Sequence, residues 1–362
     1  MVLLFSFTAL VILLYLAYPL WLACLKPVNE IPVENPQPVE CVSLILLSYN
    51  GGQFLKEKID FLLKELSAFK DSELLVIDDC SNDGSREILG GFQGNHGIKI
   101  VQKEHHNGIP DSMNTAVGLA QFEYIVFCDQ RQQLSENIIV KLLESFKDER
   151  VGAVSACISD HDKSHHFSWI RAYENHVKCM ESKTGSLIGV YGPLYAVRKS
   201  RFSPIPNHIV LDDLYLSLRI LANSQVRIMK ECLVTDDSHA ILNDYGRAKR
   251  YILGFLQLMN EKGIVSALNT KQRVMLYWHK YLRLHIPLLL LASYLGTGIM
   301  SFFNPSYINP FIIITVLMIL LSLPAKFSFH LKLKNMLKIN AFYLVAFIEV
   351  NAVHYLKLNK KL

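Results

Sequence analysis

Residues 42–63 (VSLILLSYNGGQFLKEKIDFLL), followed by residues 73–85 (ELLVIDDCSNDGS), decide the fold. Each segment begins with a short apolar run that is typical of a buried strand, residues 42–47 and 73–77, and continues into polar turn residues. Between the two runs, Leu and Ile recur at helical spacing over residues 54–69. A strand, an amphipathic helix and a second strand in this order predict a parallel sheet covered by helices.

The same alternation continues along the chain. A third strand is predicted at residues 98–102, a helix from about residue 111 and a fourth strand at residues 124–128. We therefore expect an α/β domain with a mostly parallel sheet and helices on both faces. In such sheets, ligands bind beyond the carboxyl ends of the strands.

Polar clusters follow three of these predicted strands, at residues 48–50, 78–84 and 129–132. Acidic side chains gathered at one edge of a sheet repel one another unless a positive group lies between them. A divalent metal ion and the hydrogen-bond donors of a nucleotide are suitable groups. Alternatively, residues 78–84 form only a strand-to-helix turn, because Asp, Asn, Ser and Gly all favour turns and helix caps.

The two ends of the chain hold most of its apolar excess, in a composition that is 51% hydrophobic. Residues 2–25 carry no charge and are long enough to cross a bilayer as a helix. Lys26 follows directly, which predicts that the polar middle of the chain is cytosolic. Further apolar segments lie at residues 286–303, 308–325 and 340–356. We expect an integral protein of the inner or plasma membrane, in contact with its lipids.

These patterns predict five regions. They are an N-terminal transmembrane anchor (1–25), a Pro-rich linker (26–41), the two halves of the α/β domain (42–135 and 136–284) and C-terminal membrane helices (285–362). Seven scattered Cys residues without a Cys-x-x-Cys pair favour a reducing compartment over a disulfide framework or a zinc site. The formal net charge is only +5, and basic runs interleaved with aromatic residues are absent, which argues against nucleic acid as a partner.

The ordered motifs resemble those of family 2 glycosyltransferases, which have the Rossmann-like GT-A fold. Residues 42–63, 73–85 and 105–139 resemble the nucleotide-binding half of that family. Residues 151–158, 174–202 and 205–220 resemble the acceptor half of its membrane polysaccharide synthases. The resemblance covers about residues 40–285 and implies a hexosyl-type transferase that uses a nucleotide-sugar donor. It implies that residues 42–135 are the nucleotide-sugar-binding half of the domain and residues 136–284 the acceptor and catalytic half.

On the donor side, the resemblance implies a role for each matching position. Asp79 is expected to accept a hydrogen bond from the base of the donor, taken as uracil, with Ser48 and Asn50 nearby. Asp129 matches the first position of the family's Asp-x-Asp motif, whose carboxylates bind ribose and the metal-bound diphosphate. Arg131 replaces the second Asp.

On the acceptor side, Asp213 falls where the family places its general base, and Asp212 stands where the family often has Glu. Arg250 and Tyr251 match part of the Gln-x-x-Arg-Trp motif of processive members, with Arg247 in place of Gln. Arg250 is expected to steady the diphosphate, and Tyr251 to stack on an acceptor sugar. The residues expected to line the acceptor side are Gly189, Tyr191, Gly192 and Arg198.

Structural alternatives stand beside these roles. Asp212 and Asp213 are also suitable for capping a helix, and Arg247 and Arg250 lie one helical turn apart, as on a solvated face or a face that contacts anionic lipid. His239 lies where some GT-A enzymes have a further metal ligand, although a structural His also fits.

The metal site is the main departure from the family, because the cationic Arg131 is a poor metal ligand. Either Arg131 itself offsets the diphosphate charge, or Mg²⁺ or Mn²⁺ binds through Asp129, the diphosphate and another residue such as His239. The changes at residues 247 and 251 weaken the case for processive synthesis.

The sequence thus predicts an inverting transferase that moves a sugar, from a UDP-sugar, to a lipid-linked or saccharide acceptor in cell-surface glycan synthesis. Two alternatives are a processive polysaccharide synthase and a non-catalytic scaffold that binds nucleotide sugar. The three carboxylates Asp79, Asp129 and Asp213 argue against the scaffold, because a scaffold needs no base.

Overall fold

A computed structural model describes residues 15–29, 38–160, 168–236, 245–309, 311–312, 315–316 and 340–351. Among these residues, eight strands form a single sheet. They are β1 (Cys41–Ser48), β2 (Asp71–Asp78), β3 (Ile98–Gln102), β4 (Tyr124–Asp129), β5 (Gln133–Leu134), β6 (Val151–Asp160), β7 (Leu194–Arg198) and β8 (Gln225–Asp236). The order across the sheet is β3-β2-β1-β4-β7-β6-β8-β5.

Helices cover the sheet and extend beyond it. They are α1 (Tyr15–Cys24), α2 (Gly52–Leu66), α3 (Ser85–Gly90), α4 (Ile109–Leu119), α5 (Ile138–Leu143), α6 (Ser168–Lys183), α7 (Asp212–Leu221), α8 (Tyr245–Asn260), α9 (Ile264–Ala267) and α10 (Thr270–Phe303). Residues 340–351 are also helical. Within α10, residues Leu276–Leu282 form a π-helical segment.

The first half of the sheet is parallel, as the sequence predicts. Strand β1 pairs in parallel with both β2 and β4, and β2 pairs in parallel with β3. Alternate residues of β1 enter two different cores, with Leu44 and Leu46 on the α2 face and Ile45 on the α4 face. The apolar run is therefore buried on both sides, which explains why it shows no polar alternation.

The second half of the sheet is mixed, which corrects the expectation of a mostly parallel sheet. Strand β7 lies between β4 and β6 and runs antiparallel to both. Strands β5 and β8 also pair antiparallel, whereas β6 and β8 pair in parallel. Three of the seven strand pairings are thus antiparallel, and the carboxyl end of β7 lies at the opposite sheet edge from that of β4.

The apolar ends agree only in part with the predicted membrane helices. In the described part of the chain, α10 is one helix long and apolar enough to cross a membrane, by length and composition. The described part of the N-terminal segment is a shorter helix, α1, whose Tyr18 and Leu22 are buried in the core of the domain. Membrane-spanning helices at both ends are therefore not confirmed. The predicted segments at 308–325 and 340–356 lie largely or partly outside the described residues.

Candidate active site

The ends of β1, β2 and β4 come together at one edge of the sheet. In the strand register, Ser48 stands opposite Asp78, and Leu47 stands opposite Asp129. Because neighbouring strands are about 4.8 Å apart, the ends of β2 and β4 are separated by roughly 10 Å across β1. The three polar clusters predicted from the sequence therefore lie along one rim.

The Asp79 carboxylate is held by four donors just beyond β2. Its Oδ1 accepts hydrogen bonds from Lys103 Nζ at 3.1 Å and the Asn107 amide at 3.2 Å. Its Oδ2 lies 2.8 Å from the Gly108 amide and 2.7 Å from His106 Nδ1. Burial acts to raise the pKa of Asp79, but the two amides and Lys103 outweigh it and hold the pKa below its ordinary value.

The loops after β1 and β2 are fastened to each other. The Asn50 amide donates to Ser81 Oγ at 2.9 Å, and Asn50 Oδ1 accepts from the Asn82 amide at 2.9 Å. Asn50 has a φ of 47°, a left-handed conformation that Asn tolerates better than most residues. Ser48 is buried, and its hydroxyl oxygen has no hydrogen-bond partner among the described residues. Both predicted donor residues thus lie beside Asp79.

An aromatic pair next to Asp79, Tyr49 and His106, was not predicted from the sequence. The rings of Tyr49 and His106 stack with centroids 4.2 Å apart. Tyr49 is 47% exposed and the His106 side chain 51%, so the pair faces solvent beside a buried carboxylate. The available signal was the Tyr in the Ser-Tyr-Asn turn and the second His of residues 105–106, each next to a predicted site residue.

Asp129, at the end of β4, lies in a different electrostatic environment. Burial raises the pKa of Asp129 to about 6, and repulsion from Asp213 and Asp236 adds to the effect, while Arg131 and Lys58 act against it. Arg131 itself is exposed. The carboxylates at the ends of β4 and β8 and at the start of α7 therefore lie close enough to repel one another.

Asp212 and Asp213 form the first turn of α7. The N-cap position is taken by Leu211, so neither Asp caps the helix, although an acidic first turn suits the helix dipole. The Leu214 amide donates to Asp213 Oδ1 at 2.7 Å. Burial raises the pKa of both carboxyls, and their mutual repulsion raises that of Asp212 further.

The loop before β7 connects these carboxylates. A Cβ placed on Gly192 would lie 3.5 Å from Asp213 Oδ2, so the backbone passes directly beside this oxygen. The next residue, Pro193, accepts a hydrogen bond at its carbonyl from the Asp129 amide at 3.0 Å. Gly192 therefore lies next to Asp213, and Tyr191 precedes it in the same loop.

Arg198 does not lie at this rim, which corrects the prediction that it lines the acceptor side. It pairs with Tyr124 at the start of β4, about 17 Å along the strand from Asp129. Its guanidinium donates to the carbonyls of Val151 and Phe146 at 2.8 Å each and to the Tyr124 hydroxyl at 3.1 Å. Arg198 therefore joins strands and the segment after α5 at the far sheet edge.

The remaining predicted residues lie on or beside α8. Arg250 is exposed and lowers the pKa of both Asp212 and Asp213 by its positive charge, so it faces the carboxylates. Tyr251 is partly buried near Lys280, and burial raises its pKa. The Arg247 side chain and His239 lie outside what the structure describes.

Asp236 is a further candidate that the sequence analysis did not single out. It ends β8, and Gln132 donates to its Oδ1 at 3.4 Å. Strand-end polarity, the signal used for β2 and β4, would also have indicated it. The carboxylates of Asp129 and Asp236 supply hard oxygen ligands suited to Mg²⁺ or Mn²⁺. Within the described ranges, however, no group of three or more His, Cys, Asp or Glu is arranged to hold a metal ion.

Comparison with known proteins identifies the domain. Residues 43–203 match the sequence model described as glycosyl transferase family 2. Over this segment, which is less than half of the chain, the protein is similar to family 2 glycosyltransferases. The matched segment runs from within β1 through β7 and includes the rim with Asp79 and Asp129, while α7 and its two Asp residues follow it.

Two curated relatives carry glycosyltransferase names. Poly-beta-1,6-N-acetyl-D-glucosamine synthase of Staphylococcus epidermidis is 23% identical over 206 residues, which are 54% of this chain and 50% of the relative. The putative teichuronic acid biosynthesis glycosyltransferase TuaG of Bacillus subtilis is 31% identical over 115 residues, 32% of this chain and 44% of the relative. The chain spans about half the length of the curated relatives it matches.

A solved structure shares the fold over nearly the whole chain. The mannosyltransferase PcManGT from Pyrobaculum calidifontis, in complex with GDP-Man and Mn²⁺, matches with a TM-score of 0.73 and 18% identity, covering 96% of both chains. This likeness shows that the two chains share an α/β fold, which agrees with the predicted GT-A fold.

Proposed function

We propose that the protein is an inverting glycosyltransferase, which moves a sugar from a UDP-sugar to a saccharide or lipid-linked acceptor in cell-surface glycan synthesis. The observation that carries the proposal is the crowding of Asp129, Asp212 and Asp213 beside the backbone of Gly192. Such repulsion costs folding free energy, and carboxylates in this state are typical of sites that receive a cationic or hydrogen-bonding ligand.

Asp213 is the proposed general base. An inverting transfer needs one carboxylate that takes the proton of the acceptor hydroxyl while its oxygen attacks the anomeric carbon from the face opposite the diphosphate. Burial raises the pKa of Asp213, which makes the carboxylate a stronger proton acceptor. The close approach of Gly192 supports an acceptor that lies along backbone, because a side chain there would fill the space.

Asp79, Ser48 and Asn50 are the proposed contacts of the nucleotide. Four donors already fill the lone-pair sites of Asp79, so a base N–H reaches this carboxylate only if one of them moves. The His106 side chain is 51% exposed, and we propose that it yields its place to the base. Tyr49, left with a free face, then stacks on the base.

Asp129 and Asp236 are the proposed residues for Mg²⁺ or Mn²⁺, with His239 as a further candidate. A bound divalent ion supplies charge that stabilises the departing diphosphate. The relative of the same fold was solved with Mn²⁺ and GDP-Man, which supports a divalent ion and a nucleotide-sugar donor here. Arg131, exposed next to Asp129, adds positive charge on the diphosphate side.

The acceptor side is assigned to Gly192, Tyr251 and Arg250. Arg250 carries its charge near Asp212 and Asp213, where it is able to bind the diphosphate or an anionic acceptor. Arg247, whose side chain lies outside what the structure describes, stays a candidate for the same role. A lipid-linked acceptor agrees with the apolar helix α10, and we place the enzyme at the inner or plasma membrane with this domain cytosolic.

Processive polysaccharide synthesis is the second candidate. The observation that favours it is the similarity to a poly-beta-1,6-N-acetyl-D-glucosamine synthase over 54% of this chain. Product length separates the two candidates: a single-transfer enzyme adds one labelled sugar to each acceptor, and a processive enzyme yields a ladder that lengthens without release.

The experiment is a transfer assay with membranes that contain the whole chain. Membranes are incubated with a panel of labelled UDP- and GDP-sugars, with Mg²⁺, Mn²⁺ or EDTA, for the native protein and Asp213→Asn. Product with the native protein and none with Asp213→Asn is the expected result. Binding of donor without turnover in either protein would identify a non-catalytic scaffold instead. Activity that persists in EDTA would favour Arg131 over a metal ion.

A further inference from the structure

Helix α6 links the apolar helices to the loop beside Asp213. Its residues Glu174, Lys178 and Glu181 are spaced by four and three positions, so they lie on one stripe of the helix. The outer two contact the apolar helices: Tyr18 of α1 donates to Glu181 Oε1 at 2.5 Å, and Lys280 of α10 lies 3.3 Å from Glu174 Oε1. The middle residue, Lys178, points elsewhere.

Lys178 is a buried cation directed at the loop before β7. Only 3% of its surface is exposed, and its Nζ donates to the Gly189 carbonyl at 2.5 Å. The same Nζ lies 3.9 Å from the centroid of the Tyr191 ring. An ammonium group is costly to bury, so it persists in such a place only where its contacts compensate.

Side chains from three elements hold the same loop. The Ile188 amide donates to Glu181 Oε2 at 3.0 Å, the Val190 amide to Ser217 Oγ at 3.0 Å and the Tyr191 amide to Ser155 Oγ at 2.8 Å. Gly189 itself has a φ of 88°, which suits glycine, and its amide donates to the Leu187 carbonyl at 3.2 Å. Its carbonyl accepts from Lys178 Nζ.

The loop ends at the two catalytic candidates. Gly192 passes beside Asp213 Oδ2, and the Pro193 carbonyl holds the Asp129 amide at 3.0 Å. Ser217, which anchors Val190, also donates to the Asp213 carbonyl at 2.6 Å. The loop that Lys178 holds at Gly189 therefore contacts both Asp129 and Asp213 at its other end.

We propose that Lys178 is a positioning residue for transfer, which fixes the loop from Gly189 to Gly192 and so sets the acceptor side of the site against Asp213. This inference rests on the proposed glycosyltransferase function. Lys178 touches the loop and not the reacting atoms, and the donor contacts at Asp79 lie on the other side of β1. Loss of Lys178 should therefore affect transfer and leave donor binding unchanged.

The test compares Lys178→Met with a matched control. Lys199 also donates from its Nζ to a backbone carbonyl, that of Ala120 at 2.6 Å, but it follows β7 at the far sheet edge. We expect Lys178→Met to lower kcat by about 10- to 100-fold and to raise the acceptor KM, because a misplacement of about 1 Å costs roughly that much. The Kd of the UDP-sugar should stay within twofold. Lys178→Arg, which keeps the charge, should recover part of kcat, and Lys199→Met should change neither.

Hydrogen exchange supplies a readout that does not require turnover. In the substrate-free protein, amides of the loop from Ile188 to Tyr191 should exchange at least tenfold faster in Lys178→Met than in the native protein or Lys199→Met. If loop exchange is faster in Lys178→Met but the native protein transfers no sugar, the role of Lys178 in holding the loop stands and the proposed glycosyltransferase function is refuted.

Three outcomes would overturn the positioning role. They are unchanged loop exchange in Lys178→Met, equal loss of donor affinity and kcat, and a Lys178→Arg variant that behaves as Lys178→Met does. If Lys178→Met does not fold, Lys178→Gln, which also removes the charge, takes its place: native donor affinity with lowered kcat and faster loop exchange supports the role, and native kcat with native exchange contradicts it.

Discussion

Two acidic clusters lie on the same rim of the sheet and differ in how their charge is satisfied. At the end of β2, Asp79 is surrounded by two amides, Lys103 and His106, and its pKa lies below the ordinary value despite the opposing effect of burial. At the end of β4, burial and neighbouring carboxylates raise the pKa of Asp129 to about 6. The Asp79 cluster holds the loops of the site together, and the Asp129 cluster carries negative charge that a bound ligand can neutralise.

The largest effect is expected from Asp213→Asn. The amide keeps the shape and cannot accept the acceptor proton, so kcat should fall by about 10³-fold or more while the Kd of the donor changes little. Rapid-quench transfer assays and calorimetric titration of donor measure the two quantities. Asp60→Asn, an exposed change on α2, is the control. Activity of Asp213→Asn within tenfold of native would remove Asp213 from the role of base.

Asp129→Asn should lose about 10²-fold in kcat and become more stable at the same time. A carboxyl whose pKa is raised from near 4 to about 6 costs the folded state stability as the pH rises through that window. In EDTA at pH 7.5, removal of this charge should raise Tm by a few degrees, and the gain should vanish below about pH 4. Calorimetric scans across pH check this. A lower Tm for Asp129→Asn than for the native protein at pH 7.5 would show that neighbouring groups already stabilise the charge of Asp129.

The sequence was sufficient to locate the Asp79 cluster and the parallel half of the sheet. Strand β3 begins and ends where predicted, and β1, β2 and β4 differ from prediction by at most two residues, because unbroken apolar runs between turn residues leave few alternatives. The position of β7 depends on pairing with β4 and β6, two strands distant in sequence. For this reason Arg198 was placed on the wrong edge, and Asp236, at the end of β8, was not singled out.

Asp79→Ala should affect donor binding more than chemistry. The change removes the acceptor for the Asn107 and Gly108 amides and for Lys103, so the loop before α4 loses its anchor. We expect the Kd of the UDP-sugar to rise by about tenfold and Tm to fall, with kcat at saturating donor within about threefold. Lys103→Met should reproduce part of the effect. A lowered kcat with unchanged Kd would reverse the assignment of the two clusters.

The smallest effect on activity is expected from Arg198→Met. Its three hydrogen bonds join β6, β4 and the segment after α5, so unfolding free energy should drop by about 2 to 4 kcal/mol. Because it lies far from Asp129, kcat and both KM values should stay within about twofold of native at a temperature where the variant is folded. Denaturant titration and steady-state kinetics measure these. A selective rise in acceptor KM would restore Arg198 to the acceptor side.

The most direct test of the account is a crystal structure of the protein with an unhydrolysable UDP-sugar and Mn²⁺. We expect the base beside Asp79 and Tyr49, the diphosphate and metal at Asp129, and the anomeric carbon facing Asp213 across a gap that fits one acceptor hydroxyl. A nucleotide bound away from this rim, or an Asp213 carboxylate directed away from the sugar, would contradict it.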